Sequence, residues 1–370
     1  MNDLILLTIG LHPFRQRHII EQFIVSFPFS YDSSHRTKFT FSHLPYLIQP
    51  QIKNIPFISQ YAISVSSFAG LDSAMSGPAP AACHAGPVRV IGLVGGTGRT
   101  VMPLHAIDRA NGLFHEHHAA SAGKPTFVFF NALSGNLGMW RASIAPALEA
   151  DGFGTLLWNY RGQQDSPVDD RTEISARQIA DDGMALLDVL RPARPVYVGM
   201  SIGGLFALDA HLGGRRAAAM LLINTLRIDS PRLRWVNAAT HRAALVGGGR
   251  LLRDLYGPLI FGERFQEAQF PTMLAPEPYE PLSSAHVDAR LLAAGATADW
   301  AVDYESVEVP VTILTGLQDR VFYDEQVVDR LSRRFADARR VNVAEAAHML
   351  PVETPDDVIG ACRELAGRIA

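Results

Sequence analysis

At 370 residues, with 48% hydrophobic and 19% charged side chains, the chain has the composition of a globular protein with a sizeable core. A formal net charge of −4 excludes the basic excess that a nucleic-acid-binding surface requires, so a small-molecule partner is expected. The only two cysteines, Cys83 and Cys362, lie far apart without CxxC or zinc-type spacing, which argues against a disulfide framework and against a bound metal.

The first apolar stretch, Leu4 to Leu11, is too short to span a membrane and follows Asp3 rather than the basic residues of a signal peptide. A cytoplasmic protein with no membrane partner is expected. Composition then changes abruptly near Met75. Residues 1–74 are rich in Ile, Phe, Ser and Gln and poor in Ala, whereas the remainder is rich in Ala, Gly and Arg. Lys38 and Lys53 lie in this leader, and Lys124 is the only other lysine. The leader, 1–74, is therefore expected to lie outside the main fold, or to be a mis-assigned extension of a protein starting at Met75. A Pro/Ala-rich stretch, Gly77 to Pro87, follows it, and then GLVGGTGRT from Gly92 to Thr100. The latter lacks the lysine of a phosphate-binding loop and reads as a glycine-rich connector.

Beyond it, apolar runs alternate with helical patterns, as a mostly parallel sheet demands. Strands are predicted at Thr100–Ile107, Gly112–Ala119, Thr126–Phe130, Gly154–Trp158, Pro195–Val198, Ala218–Ile223, Val309–Thr315 and Arg340–Val343. Continuous apolar runs such as TFVFF and TLLW fit strands covered on both faces. His115, Glu116, His117 and His118 fall in one of them, where alternation sends neighbours to opposite faces and keeps them from converging on a metal. Ile179, Gly183, Leu186, Leu187 and Leu190 fall at helical spacing. The segment between Ile223 and Val309 is too long for a plain crossover, and its aromatics (Trp235, Tyr256, Phe261, Phe265, Phe270, Trp300) suggest a helical cap over the carboxyl ends of the strands. The expected organisation is an α/β core in two pieces, 75–225 and 299–370, with a cap at 226–298 inserted after the sixth strand. At the start of the cap, Arg227, Arg232 and Arg234 could meet a substrate carboxylate, though a surface position is the favoured expectation for them.

The strongest motif is Gly199-Met200-Ser201-Ile202-Gly203, a G-x-S-x-G placed directly after the strand PVYV and before the helical run GLFALDAHL. A serine at so tight a turn has its Oγ held at the mouth of the sheet, and side chains at Gly199 or Gly203 would collide with the neighbouring strand and helix. The Ile202 N–H, at the helix N-terminus, is placed to meet an oxyanion. Asp319 follows the strand VTILTG, and His348 follows the strand around RRVNV. Taken singly, such an Asp is ordinarily a turn former and such a His an ordinary surface or satisfied residue. Three placements at three strand ends in the order Ser, Asp, His outweigh those readings. Asp229, just past the strand ending at Ile223, is the rival acid.

Through TFVFFNALSGN, WNYRGQQDS, GMSIGG, GLQD and AHMLPVETP, the chain from about Leu113 onward resembles the α/β-hydrolase superfamily, and within it loosely the enol-lactonase and carboxylesterase branch. The resemblance implies an α/β fold with a mostly parallel central sheet and helices on both faces, no cofactor, and a Ser201–His348–Asp319 triad. It also implies a second oxyanion donor after Phe130, best matched by Leu133. Asn131-Ala132 stands where many relatives have His-Gly, and Gln164 stands where relatives have the second Gly of R-G-x-G-x-S. The expected function is hydrolysis of a carboxylic ester or lactone. Acyl transfer, thioester or carbon–carbon cleavage on the same triad, and a non-catalytic small-molecule receptor, are the alternatives. Oligomeric state is not legible.

Overall fold

The computed structural model describes residues 4–9, 21–26, 104–106 and 112–370 apart from 275 and 276. The expectations for most of the leader, for the Pro/Ala-rich stretch and for GLVGGTGRT lie outside the described residues. The chain divides into two units, Met1–Val88 and Arg89–Ala370. In the first, β1 (Leu4–Ile9) pairs antiparallel with β2 (Glu21–Ser26), Leu4 opposite Ser26.

In the second unit eight strands form one sheet: β3 (Leu104–Ala106), β4 (Gly112–His118), β5 (Thr126–Phe130), β6 (Gly154–Trp158), β7 (Pro195–Met200), β8 (Ala219–Ile223), β9 (Val311–Gly316) and β10 (Ala338–Val343). Their spatial order is β10-β9-β8-β7-β5-β6-β4-β3. The pairs from β10 through β6 are parallel, while β4 is antiparallel to β6 and to β3. Each predicted strand from Gly112 onward is present, displaced at its ends by a few residues at most. Of the predicted Thr100–Ile107 strand, the described part is Leu104–Ala106.

The period-2 geometry of a strand explains why TFVFF is apolar throughout. Phe127 and Phe129 pack on one face with Trp140, Ile144 and Leu148, while Val128 and Phe130 pack on the other with Trp158, Ile179 and Leu186. Helices supply both layers. The first face takes α1 (Gly138–Arg141), α2 (Ile144–Ala150) and, after β10, α9 (Leu350–Glu353) and α10 (Pro355–Arg368). The second takes α3 (Ala176–Leu190), α4 (Ile202–Leu212) and α8 (Glu325–Ser332). α3 starts where the Ser175 side chain accepts the Gln178 N–H, and it buries Ile179, Gly183, Leu186 and Leu187 as its spacing predicts.

Between β8 and β9 the chain forms α5 (Pro231–Ile260), α6 (Glu263–Gln269) and α7 (Val287–Ala294). Ser230 caps α5 by accepting the Leu233 N–H, with Pro231 in the first turn where its missing N–H goes unnoticed. The helix breaks at Gly247-Gly248, where Gly248 adopts φ 65°.

Phe130 makes edge-to-face contacts with Trp158 and Tyr197 at ring-centroid distances of 5.7 and 5.3 Å and is 1% exposed. Phe130→Ala is expected to lower the unfolding free energy by about 3–5 kcal/mol. A urea midpoint equal to that of the wild type would contradict this packing.

Candidate active site

β7 ends at Met200 and α4 begins at Ile202, which leaves Ser201 alone at the turn with φ 56° and ψ −122°. This is a strained backbone region for a side-chain-bearing residue, held by a Ser201 N–H bond to the Ile223 carbonyl at 2.8 Å. The flanking glycines are there for closeness. A Cβ at Gly203 would lie 2.3 Å from the Phe130 carbonyl oxygen, and one at Gly199 would lie 2.4 Å from the Gly204 Cα. The end of β5 thereby comes up against the first turn of α4. Ile202 opens the helix, so its N–H has no preceding turn to donate to. Among the described residues no acceptor takes the Leu133 N–H either, and Leu133, Ser201 and Ile202 line one cavity.

His348 enters the same cavity from the loop after β10. Its Nδ1 is 2.7 Å from Asp319 Oδ2, and both side chains are buried. Asp319 Oδ1 accepts the backbone N–H groups of Val321 and Phe322, each at 2.9 Å. Burial by itself would push this carboxyl up. The neighbouring His348 and these hydrogen bonds outweigh it and hold the group below the ordinary carboxylate value. Asp229, the rival acid, is exposed and ion-paired with Arg234.

Two polar residues to which no motif assigns a role hold the histidine loop. Asn224, at φ 47° just past β8, donates from Nδ2 to the carbonyls of Ala347 and His348, both at 2.9 Å, while its Oδ1 accepts the Gly316 N–H at 2.9 Å. It therefore ties the ends of β8 and β9 to the His348 loop. Glu353 accepts the N–H groups of Met349 at 2.8 Å, Ala347 at 3.1 Å and Gly262 at 2.6 Å. Burial raises its carboxyl above the ordinary value against these same bonds.

The departures from the family pattern have a structural account. Asn131 is fully buried and donates to the Trp158 carbonyl at 2.8 Å and to Gln163 Oε1 at 2.9 Å; its own Oδ1 accepts Trp140 Nε1–H at 2.8 Å. Tyr160 Oη donates to the Asn131 carbonyl at 2.7 Å, and Gln163 Nε2 reaches the carbonyls of Ala132 and Leu133 at 3.0 and 3.1 Å. A buried amide network thus fixes the Ala132–Leu133 peptide. Gln164 is exposed, and Asp165 beside it takes the positive φ of 62° that the turn requires.

Arg227 corrects an expectation. Arg234 does lie at the surface, and Arg232 is exposed as well, donating to the Arg320 carbonyl at 3.0 Å. Arg227 instead is buried, because it follows β8 inward before the chain turns out into α5. Its Nη2 donates to Ser201 Oγ at 3.0 Å and to the Asn224 carbonyl at 2.7 Å, and its Nε donates to the Thr225 carbonyl at 3.2 Å. The guanidinium carbon lies 4.8 Å from the Trp300 ring and 4.5 Å from the Phe322 ring. Burial lowers its pKa to about 10, which leaves it cationic at neutral pH. The stacking aromatics stand far away in sequence, and no periodicity signals them.

The cavity has a volume of about 410 Å³ and lies between the strand ends and the β8–β9 insertion, with Leu233, Asn237, Leu252 and Tyr256 of α5 in its wall. It sits outside the carboxyl ends of the strands, where open α/β sheets present their ligand sites. A strained serine, a carboxylate-oriented imidazole and two backbone N–H groups around one cavity can carry out nucleophilic acyl chemistry.

Residues 125–355 match the family model described as alpha/beta hydrolase fold. Among characterised proteins, the chain is similar to 3-oxoadipate enol-lactonase 1 of Acinetobacter baylyi, with 25% identity over 241 residues covering 64% of this chain and 86% of the relative. It is similar to 3-oxoadipate enol-lactonase 2 of the same organism at 28% identity, covering 63% and 85%. Among solved structures, a thermophilic esterase from Thermogutta terrifontis superposes with TM-score 0.59 at 21% identity over 74% of this chain and 99% of that one. The enol-lactonase from Burkholderia xenovorans superposes with TM-score 0.56 at 22% identity over 71% and 99%.

Proposed function

The chain belongs to the alpha/beta hydrolase fold family, and on that premise we propose that it is a serine hydrolase that cleaves a carboxylic ester or lactone through an acyl-enzyme. The observation that carries the reading is the 2.7 Å contact between His348 Nδ1 and Asp319 Oδ2, with the imidazole and the strained Ser201 lining one cavity. In this reading Asp319 holds the Nδ1–H tautomer and leaves Nε2 as the base. Nε2 takes the Ser201 proton as Oγ bonds to the acyl carbon. The tetrahedral oxyanion is held by the N–H groups of Ile202 and Leu133, each worth about 3–4 kcal/mol. The carbon–oxygen bond then breaks and the proton passes from His348 to the leaving alkoxide, which stays tethered in a lactone. Water, deprotonated by His348, attacks the acyl-enzyme and releases the acid and Ser201.

We assign residues 75–225 and 299–370 to the catalytic fold and 226–298 to a cap whose α5 walls the cavity, with 1–74 outside the fold. The shortage of cysteine supports placing this chemistry in the cytoplasm. Among the described residues no helix is long and apolar enough to cross a membrane.

The test is labelling with a fluorophosphonate, followed by a panel of esters, lactones and thioesters. A single adduct on Ser201 is expected; folded protein that takes up no label would defeat the reading. Gln163→Leu supplies a second check. Loss of the amide frees the Ala132 and Leu133 carbonyls and lets the oxyanion loop shift, so kcat is expected to fall roughly 10²-fold with KM little changed. An unaltered kcat would remove Leu133 from the oxyanion hole.

A further inference from the structure

The cavity wall has a consistent charge. Among the described residues that line it there is no Asp or Glu, while Arg227 and Arg253 both do. Arg253 lies on α5, half-exposed, and is partnered by Asp254 at 3.3 Å. Arg227 has no such partner. Asp319, whose charge it senses, is bonded to His348 and to two backbone N–H groups and makes no ion pair with it.

A guanidinium has five N–H donors in a planar fork. Nε and Nη2 of Arg227 are taken by the carbonyls of Thr225 and Asn224 and by Ser201 Oγ. The Nη1 donors have no protein acceptor among the described residues, and the residue lines the cavity. Burying a cation without a counter-ion is expensive, and a protein retains one where a bound group supplies the missing charge. The backbone bonds and the Trp300 and Phe322 rings keep the fork in one orientation, which is what recognition of a planar anion needs.

We propose that Arg227 is a carboxylate-recognition residue beside the nucleophile, so that the substrate is an acyl ester or lactone carrying a second, ionised carboxyl group close to the scissile bond. The proposal rests on the serine-hydrolase reading and adds the substrate class to it. Nη2 lies 3.0 Å from Ser201 Oγ, so a carboxylate on Nη1 falls within roughly 8 Å of that oxygen. That distance matches a carboxylate about three to five bonds from the attacked carbon. Without such a group, a neutral substrate leaves the buried cation unpaired and gains nothing from it.

The experiment compares monoethyl glutarate with diethyl glutarate, which share the scissile ester and differ in one remote charge. The wild type is expected to favour the half-ester in kcat/KM by on the order of 10- to 100-fold. Arg227→Met is expected to bring that ratio to about one, and Arg227→Lys, which keeps the charge but loses the fork, to an intermediate value. Glutarate itself should bind the wild type in titration calorimetry, and slow its fluorophosphonate labelling, but do neither in Arg227→Met. Equal or better turnover of the diester by the wild type, with no glutarate binding, overturns the proposal even if neither variant folds. Failure of the hydrolase reading looks different: neither ester is cleaved and Ser201 takes no label, while glutarate binding still decides whether Arg227 recognises a carboxylate.

Discussion

Ser201→Ala is expected to lower kcat on any ester the protein turns over by on the order of 10⁶-fold, and to abolish fluorophosphonate labelling. The size of the effect follows from what the position supplies. Ser201 is the residue held at φ 56° between β7 and α4, and it lines one cavity with Ile202 of the helix start and Leu133 of the loop after β5. An alanine there keeps the turn and the cavity but removes the atom that bonds to carbon. What remains is the oxyanion site acting on water, which in comparable triads leaves about 10³-fold over the uncatalysed rate. Folding should be little changed, since Arg227 retains its bonds to the carbonyls of Asn224 and Thr225. Ser134 is the control, because it lines the same cavity but is exposed and lies outside any strained turn. Ser134→Ala should stay within a few-fold of the wild type by the ordinary tolerance of exposed sites. Comparable loss in both variants would take the nucleophile role away from Ser201.

Asp319→Asn is expected to lower kcat by about 10⁴-fold, whereas Asp229→Asn should leave it nearly unchanged. Asp319 receives the His348 Nδ1–H on one oxygen and two backbone N–H groups on the other. An amide at this position can present its NH₂ to Nδ1 and select the tautomer that cannot act as base. Asp229 touches Arg234 at the surface and so has no route to the imidazole. Near-normal turnover by Asp319→Asn would overturn the assignment.

The same carboxylate makes a prediction about stability. Its folded-state pKa is depressed, so the ionised form is favoured in the native protein. Its contribution is fully present above the unfolded value of about 3.9 and is lost as pH falls through the lower folded value. The difference in urea midpoint between wild type and Asp319→Asn should therefore be largest near neutrality and shrink on acidification below about pH 4. A difference that grows on acidification would contradict the depressed value.

Local pattern was enough to read the strands from Gly112 onward and the α3 helix, because their residues satisfy a period of two or of 3.6 and the burial follows the period. The serine turn was legible for the same kind of reason: the glycines report close backbone approach, and strand and helix flank them within a few residues. Ser201, Asp319 and His348 each follow the end of a strand, β7, β9 and β10 in turn.

Contacts across the chain were not legible in this way. Asn224 bridges to Gly316 and to the His348 loop, and Gln163 bridges to the loop after β5, through single side chains whose partners lie 30 to 124 residues away. One Asn or Gln carries no periodic signal. Arg227 makes the contrast plain. As sequence it is one of three arginines within eight residues, all expected at the surface by their hydrophilicity. The direction in which the chain leaves β8, and the arrival of Trp300 and Phe322 from distant segments, decide that this one is buried against Ser201 while Arg234 is solvated. Periodicity and glycine placement reveal which backbone forms which element, because those constraints act between near neighbours. The environment of a polar side chain is set by what the fold packs around it, and that is a property of the tertiary structure alone.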